Sequence, residues 1–183
     1  EGYGLNTAAI DLLAERGAKV IVTVDCGITD VEPAARAKEH GIDLIITDHH
    51  EVGLALPDAY AILNPKRDDA YPFKELCGTG VAWKLVEGLL SRGRQNGQLD
   101  LKPGAEKWLL DVVALAKQEV ANELVSLVDL TAVLVRGIGV EPLVHVTQAG
   151  GGKVLVVLCV VTGGLTRLAQ VLGTERSLDS VLV

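Results

Sequence analysis

Methionine is absent from all 183 positions, including the first, which predicts that the chain begins inside a longer protein. Aromatic residues are also scarce, at 3%, and there is a single phenylalanine. The core must therefore be built from valine, leucine, isoleucine and alanine. In short blocks, these residues are typical of buried parallel strands that are covered by helices.

Cysteine is sparse, and long hydrophobic runs are missing. Cys26, Cys77 and Cys159 are an odd number with no paired or Cys-x-x-Cys spacing, which fits free thiols in a reducing cytoplasm better than a disulfide framework. The longest apolar run, residues 154–161, is too short to cross a bilayer, and no leader pattern precedes the first helix. We therefore expect a cytoplasmic protein with no membrane partner.

The sequence also lacks an excess of positive charge. Its net charge is −7, so its surface is not a general binding surface for polyanions. A nucleic-acid substrate would need a local basic patch, another domain or a metal cluster that inverts the local sign. The alternative is that the acidic balance serves solubility alone.

The hydrophobic periodicity alternates between helices and strands, which predicts a βαβ unit with parallel strands. Helices are predicted at 6–16, 31–40, 78–90 and from 105 to at least 115, and strands at 19–24, 43–47, 61–63 and 154–161. Residues 91–103 are rich in glycine, glutamine, asparagine and arginine and are predicted to be a solvated loop. The expected fold is α/β and doubly wound, with a mainly parallel sheet and helices on both faces.

Polar residues follow two neighbouring predicted strands. Asp25 comes directly after the first strand, and Asp48, His49 and His50 follow the second. Ligands bind at the carboxyl ends of parallel strands, and adjacent strands lie about 5 Å apart, so these four side chains can share a site. A carboxylate with imidazoles suits Mn²⁺, Zn²⁺ or Fe²⁺. The alternative is that the aspartates cap turns and the histidines lie on a solvated rim.

Two weaker signals accompany this one. Gly78, Thr79 and Gly80 open a predicted helix, where free N–H groups could cradle a phosphate of the substrate. Close packing of the helix on the sheet explains the same glycines and is the preferred interpretation. Lys66, Arg67 and Lys84 could contact a nucleic-acid backbone, although scattered basic residues usually form a solvated surface.

Several segments of the sequence resemble, in the right order, the motifs of DHH phosphoesterases of the RecJ type. They are GYGLN at 2–6, VDCGI at 24–28, TDHH at 47–50, PDA at 57–59, NPK at 64–66, YPF at 71–73, LCGTGVA at 76–82 and LLDVVAL at 109–115. The resemblance covers residues 1–115 and is far more specific than the DHH triplet alone.

The resemblance implies a role for each matching residue. Asp25 matches the aspartate that bridges two divalent metals, His49 a metal-binding histidine, and His50 the histidine that faces the scissile phosphate. Asp48 would orient an imidazole. The implied activity is a two-metal hydrolysis, with Mn²⁺ or Mg²⁺, of single-stranded DNA from the 5′ to the 3′ end, in DNA repair and recombination.

The resemblance also predicts how the chain is divided. Residues 1–140 are expected to form the DHH domain without its upstream Asp-x-Asp motif, and residues 141–183 match no segment of the family. The family's fourth motif, which carries a metal-ligand aspartate, is replaced by a different sequence at 116–123. Glu123 or the later Asp129 could supply that ligand. The alternative is that each of them is a solvated charge on a helix. The alternatives are another DHH enzyme (an oligoribonuclease, a cyclic-dinucleotide phosphodiesterase or a pyrophosphatase) and a catalytically inactive remnant.

Overall fold

A computed structural model describes residues 4–67 and 70–97 of the chain, together with the backbone of two further strands. In chain order, the described elements are α1 (Thr7–Glu15), β1 (Ala18–Val24), α2 (Val31–Glu39), β2 (Asp43–Thr47), β3 (Ala61–Leu63), α3 (Gly78–Gln95), β4 (Leu143–Gln148) and β5 (Val154–Val161).

The described strands form a single sheet in the order β3-β2-β1-β5-β4. β1 and β2 are parallel, with Val24 opposite Thr47, and β2 and β3 are parallel as well. β5 runs antiparallel to β1, and β4 antiparallel to β5. The prediction of parallel pairing is confirmed for β1, β2 and β3, while β4 and β5 make the sheet as a whole mixed.

Local sequence explains where the first two helices begin and how they contact each other. Asn6 precedes α1, and its side chain accepts a hydrogen bond of 2.8 Å from the Ala9 amide, which satisfies one of the free N–H groups of the first turn. Asp11 of α1 accepts bonds from Arg36 Nε at 2.7 Å and from His40 Nε2 at 2.6 Å, at the end of α2. These side chains are partly exposed, so the ion pairs contribute little stability.

The sheet has helices on both faces, which confirms the predicted α/β architecture. One buried cluster joins residues of α1 and α2 to alternate strand residues, among them Ile21, Leu44 and Ile46. α3 contacts β1 and β2, but none of its residues belongs to that cluster. Because side chains alternate across a strand, α3 packs on the opposite face, which Val22 and Ile45 line.

Two sequence predictions differ from the structure. α3 continues to Gln95, so the loop predicted from residue 91 was wrong over 91–95. Arg92 and Arg94 lie in its last turn, where cations interact favourably with the carbonyl end of a helix, and Gly93 is buried. Strand β4 was not predicted at all, whereas β5 was. The predicted helix at 105–115 lies outside the described residues.

None of the helices in the described part of the chain is long and apolar enough to cross a membrane.

Asp30 fastens the segment before α1 to the start of α2. Its Oδ2 accepts a bond of 2.7 Å from the Leu5 amide, and Gly4 packs directly against the same carboxylate. Burial raises the pKa of Asp30, and the nearby charge of Asp48 raises it further, although the bond from Leu5 opposes both effects.

The first prediction concerns the core. Replacing Ile21, which is fully buried between the two helical layers, by alanine should lower the free energy of unfolding by about 2–5 kcal/mol, because a cavity remains in the sheet. Denaturant titration measures this loss. Leu54→Ala is the control, since Leu54 is fully exposed and its truncation should change stability by less than about 0.5 kcal/mol. Equal effects in the two variants would contradict the assignment of the core.

The second prediction concerns pH. Because the folded pKa of Asp30 is raised, ionisation of this carboxyl disfavours folding above both its folded and its unfolded pKa. This cost disappears as the pH falls through the folded pKa towards the unfolded value. Asp30→Asn keeps an acceptor for the Leu5 amide but removes the charge. We therefore expect this substitution to change the free energy of unfolding more favourably at neutral pH than near pH 4. Unfolding titrations of both proteins at the two pH values measure this difference, and a stability gain from Asp30→Asn that grows on acidification would contradict it.

Candidate metal centre

The predicted site residues lie at the carboxyl edge of the sheet, where the parallel strands end. Asp25 follows β1 directly, and Asp48, His49 and His50 follow β2. Because Val24 and Thr47 are register partners, the chain leaves both strands at the same level of the sheet. The Asp25 amide then donates a hydrogen bond of 2.9 Å to the Thr47 carbonyl, so the pairing extends to the aspartate itself.

Asp25 adopts a backbone conformation that is uncommon for a residue with a side chain. Its φ is 64°, in the left-handed region that aspartate tolerates better than most residues. Buried hydroxyls support the turn on either side: Thr47 Oγ1 donates to the Thr23 carbonyl at 2.7 Å, and Thr23 Oγ1 donates to the Cys26 carbonyl at 2.8 Å. The turn holds the Asp25 carboxylate in place at the end of its strand, and such strain is typical of functional positions.

Glycine at position 78 allows α3 to begin directly beside Asp25. A Cβ atom at Gly78 would overlap the Asp25 carboxylate, so only glycine permits the first residue of α3 to lie against it. Close packing is therefore the observed use of this glycine. Thr79 and Gly80, which follow it, are buried as well.

Asp48 is the most heavily bonded side chain of the site, and it is 1% exposed. Its Oδ1 accepts hydrogen bonds from the His49 amide at 2.7 Å, from the His50 amide at 3.2 Å and from His50 Nδ1 at 2.7 Å. Its Oδ2 accepts a bond of 3.0 Å from the Ile28 amide, which belongs to the loop after β1. A single buried carboxylate thus connects the two loops that carry the site.

The remaining side chains converge beside this carboxylate. His49 Nε2 lies 2.9 Å from Asp25 Oδ1, and the rings of His49 and His50 are 4.7 Å apart. Asp25, His49 and His50 each offer one ligand atom, and these three atoms lie within 4.8 Å of one another. The described residues therefore contain an acidic and histidine cluster with the dimensions of a metal-binding site.

Asn64, which belongs to the NPK segment of the resemblance, supports this site in a way that the sequence did not predict. It follows β3 and is buried; its Nδ2 donates to the His50 carbonyl at 3.0 Å, while its Oδ1 accepts from the Lys66 amide at 2.8 Å. The Asp48 amide also donates to the Leu63 carbonyl at 3.0 Å. The end of β3 thus supports the loop that carries the histidines. An asparagine-proline pair after a short strand was the sequence signal for it.

The local electrostatic potential is negative. Burial raises the pKa of the Cys26 thiol well above its usual range, and the charges of Asp48, Asp30 and Asp25 act in the same direction. A cation in this region would offset that accumulation of negative charge.

The donor set fits a divalent metal. Two donors that each lie about 2.1 Å from one ion, at a right angle, are about 3 Å apart, and Asp25 Oδ1 and His49 Nε2 have this separation. One oxygen and two nitrogens are ligands that first-row transition metals accept more readily than Ca²⁺ does.

The structure brings together Asp25, Asp48, His49 and His50, the four residues singled out in the sequence. Their catalytic and metal-binding roles stay predictions, as does a substrate contact by Gly78, Thr79 or Gly80. Glu123, Asp129 and the predicted domain boundary at residue 140 lie outside the described residues.

Comparisons with known proteins identify the family of the chain. Residues 4–116 match the model of the DHH family, N-terminal domain. The chain is 56% identical over 91 residues to the single-stranded-DNA-specific exonuclease RecJ of Bacillus subtilis, an alignment that covers 49% of the chain and 12% of that protein. It is 46% identical over 119 residues to the protein of the same name from Salmonella typhimurium, covering 63% of the chain and 21% of the relative.

A more distant relative is the single-stranded-DNA-specific exonuclease RecJ of Thermus thermophilus, 32% identical over 92 residues, which are 50% of the chain and 13% of that protein. The chain thus spans only a small part of the curated relatives it matches. The family model, in contrast, covers more than half of the chain and includes the whole carboxyl edge described above. This chain belongs to the DHH family.

Proposed function

We propose that this chain is part of a metal-dependent phosphodiesterase, a 5′-to-3′ exonuclease of the RecJ type that acts on single-stranded DNA. The observation that carries the proposal is the distance of 2.9 Å between the Asp25 carboxylate and the His49 imidazole, with His50 beside them. The relatives are all single-stranded-DNA-specific exonucleases, which supports this choice of substrate over the other substrates of DHH enzymes.

Asp25 and His49 would hold the metal, for which we propose Mn²⁺. A divalent cation held by these residues would lower the pKa of a bound water and stabilise negative charge on the phosphate. Asp25 and His49 are two donors, so a two-metal site would need further protein ligands in addition to water and substrate. The upstream Asp-x-Asp motif of the family is the proposed source of those ligands.

His50 would act on the substrate through its outer ring nitrogen. Asp48 Oδ1 already accepts bonds from two backbone amides, so the proton between Asp48 and His50 resides on Nδ1. A ring with its proton on Nδ1 has its lone pair on Nε2, and this atom would accept a proton at the scissile phosphate. Asp48 orients this ring and fixes its tautomer, which is the role proposed for it.

Metal binding provides the direct test of the site. We expect Asp25→Asn and His49→Gln each to weaken Mn²⁺ binding to the chain at least about tenfold, because each removes a donor, as measured by calorimetric titration. His40→Gln is a matched control, since His40 also pairs with an aspartate, Asp11, but at the opposite edge of the sheet and with no third donor nearby among the described residues. Unchanged Mn²⁺ affinity in both site variants would exclude a metal site here.

The substrate is tested separately, on a full-length protein that carries this sequence. We expect Mn²⁺-dependent release of mononucleotides from single-stranded DNA, with a 5′ label released before a 3′ label. The same protein is offered pApA and pyrophosphate, and His49→Gln controls for contaminating nucleases. Turnover of pApA or pyrophosphate without turnover of DNA would assign the chain to another group of DHH enzymes. Metal binding without hydrolysis of any of the three would favour an inactive remnant.

A further inference from the structure

The negative charge around this site would repel a polyanionic substrate. The chain carries a net charge of −7, and Asp25, Asp30 and Asp48 lie around the loops that would receive a phosphate. A bound metal compensates part of this charge locally, but a strand of DNA extends over several phosphates. A protein cation next to the metal site would therefore assist binding.

Lys66 lies beside the histidines. Its Nζ donates a hydrogen bond of 2.7 Å to Oε1 of Glu51, the residue that directly follows His50. The Lys66 side chain is 26% exposed and the Glu51 side chain 84% exposed, so the hydrogen bond between them lies at the surface. The Glu51 carboxylate raises the pKa of Lys66, which keeps the amine charged throughout the physiological range.

The backbone at Lys66 is fixed relative to His50. Both residues bond to the side chain of Asn64, whose amide group donates to the His50 carbonyl at 3.0 Å and whose oxygen accepts from the Lys66 amide at 2.8 Å. Because Asn64 is buried, its bonds are shielded from competing water. Lys66 therefore starts from a fixed position next to the histidine loop, and only its flexible side chain must move to reach a ligand.

Other cations of the described residues are engaged differently. Arg67 donates to the Ile62 carbonyl at 3.0 Å and so supports its own loop. Lys84 pairs with Glu87 along α3, and Lys38 pairs with Asp58 at the opposite edge of the sheet. Unlike these three cations, Lys66 has a partner that adjoins the two histidines of the site.

We propose that Lys66 contacts a backbone phosphate of the substrate, and that Glu51 is its internal partner in the absence of substrate. The inference rests on the proposed function, because it takes a single-stranded nucleic acid as the ligand. A phosphate that approaches the His49 and His50 rings replaces the exposed Glu51 carboxylate as the acceptor of the Lys66 ammonium. Binding then exchanges one charge-assisted hydrogen bond for another, and the displaced carboxylate is already largely in water.

The test measures binding rather than turnover. A fluorescent oligodeoxythymidylate with phosphorothioate linkages, which resist hydrolysis, is titrated with a full-length protein that carries this sequence, in the presence of Mn²⁺ and over a series of KCl concentrations. We expect Lys66→Gln to weaken binding about five- to tenfold at low salt and to reduce the slope of log K against log[KCl] by about 0.7, the value for one contact on a single strand. Lys66→Arg should retain most of the affinity.

Glu51→Gln should change binding in the opposite direction, tightening it about two- to fivefold because the competing carboxylate is removed. Lys38→Gln removes the same charge from a similar pair at the far edge, so it measures the effect of net charge alone. Thermal unfolding of each variant verifies that its fold is intact.

The outcomes separate this inference from the proposed function. If Lys66→Gln and Lys38→Gln have the same affinity and salt slope, or if Glu51→Gln weakens binding, Lys66 is not a phosphate contact, although the exonuclease proposal stands. If the unmodified full-length protein does not bind the oligonucleotide at any salt concentration, the proposed substrate class fails, and the role of Lys66 fails with it.

Discussion

The buried carboxylate of Asp48 is the interaction on which the rest of the site depends. It accepts four hydrogen bonds, from the amides of Ile28, His49 and His50 and from the His50 ring. A buried carboxylate is costly unless its oxygens are paired, and here every bond that pairs them also positions a loop or a histidine. The same contacts therefore stabilise the fold and determine the direction of the His50 ring.

Parallel pairing determines how close Asp25 can come to this loop. β1 and β2 end in register, so the left-handed turn at Asp25 and the turn at Asp48 begin from adjacent backbone positions. The site then needs only short side chains to close the gap, and an aspartate with a histidine spans it with 2.9 Å between their polar atoms. The cost of the strained turn at Asp25 is offset by the hydrogen bonds of Thr23 and Thr47, which are local and buried.

The sequence was sufficient to predict the elements that frame the site and the residues brought together there. Continuous β-branched runs ending in aspartate predict buried parallel strands, and β2 and β3 begin and end at the predicted residues. What the sequence could not reveal depends on contacts between distant segments. The role of Asn64 depends on β3 lying next to β2, and the contact of Gly78 with the Asp25 carboxylate depends on where α3 meets β1. The pairing of β5 with β1 joins segments more than a hundred residues apart, for which no local pattern exists.

Negative charge at the carboxyl edge links the stability of the domain to its proposed chemistry. Asp25, Asp30 and Asp48 all act on the Cys26 thiol, and Asp48 also acts on Asp30, so without a cation these carboxylates repel one another in a partly buried region. Replacing Asp25 or Asp48 by a neutral residue would relieve that repulsion, but it would remove a proposed metal donor or the support of a histidine. A cation that binds only the folded state would be attracted by these carboxylates and would stabilise the fold, because the fold already holds them close together. The repulsion among the carboxylates thus destabilises the fold at the place where the proposed metal would offset it. This arrangement is expected when a site is selected for binding rather than for stability.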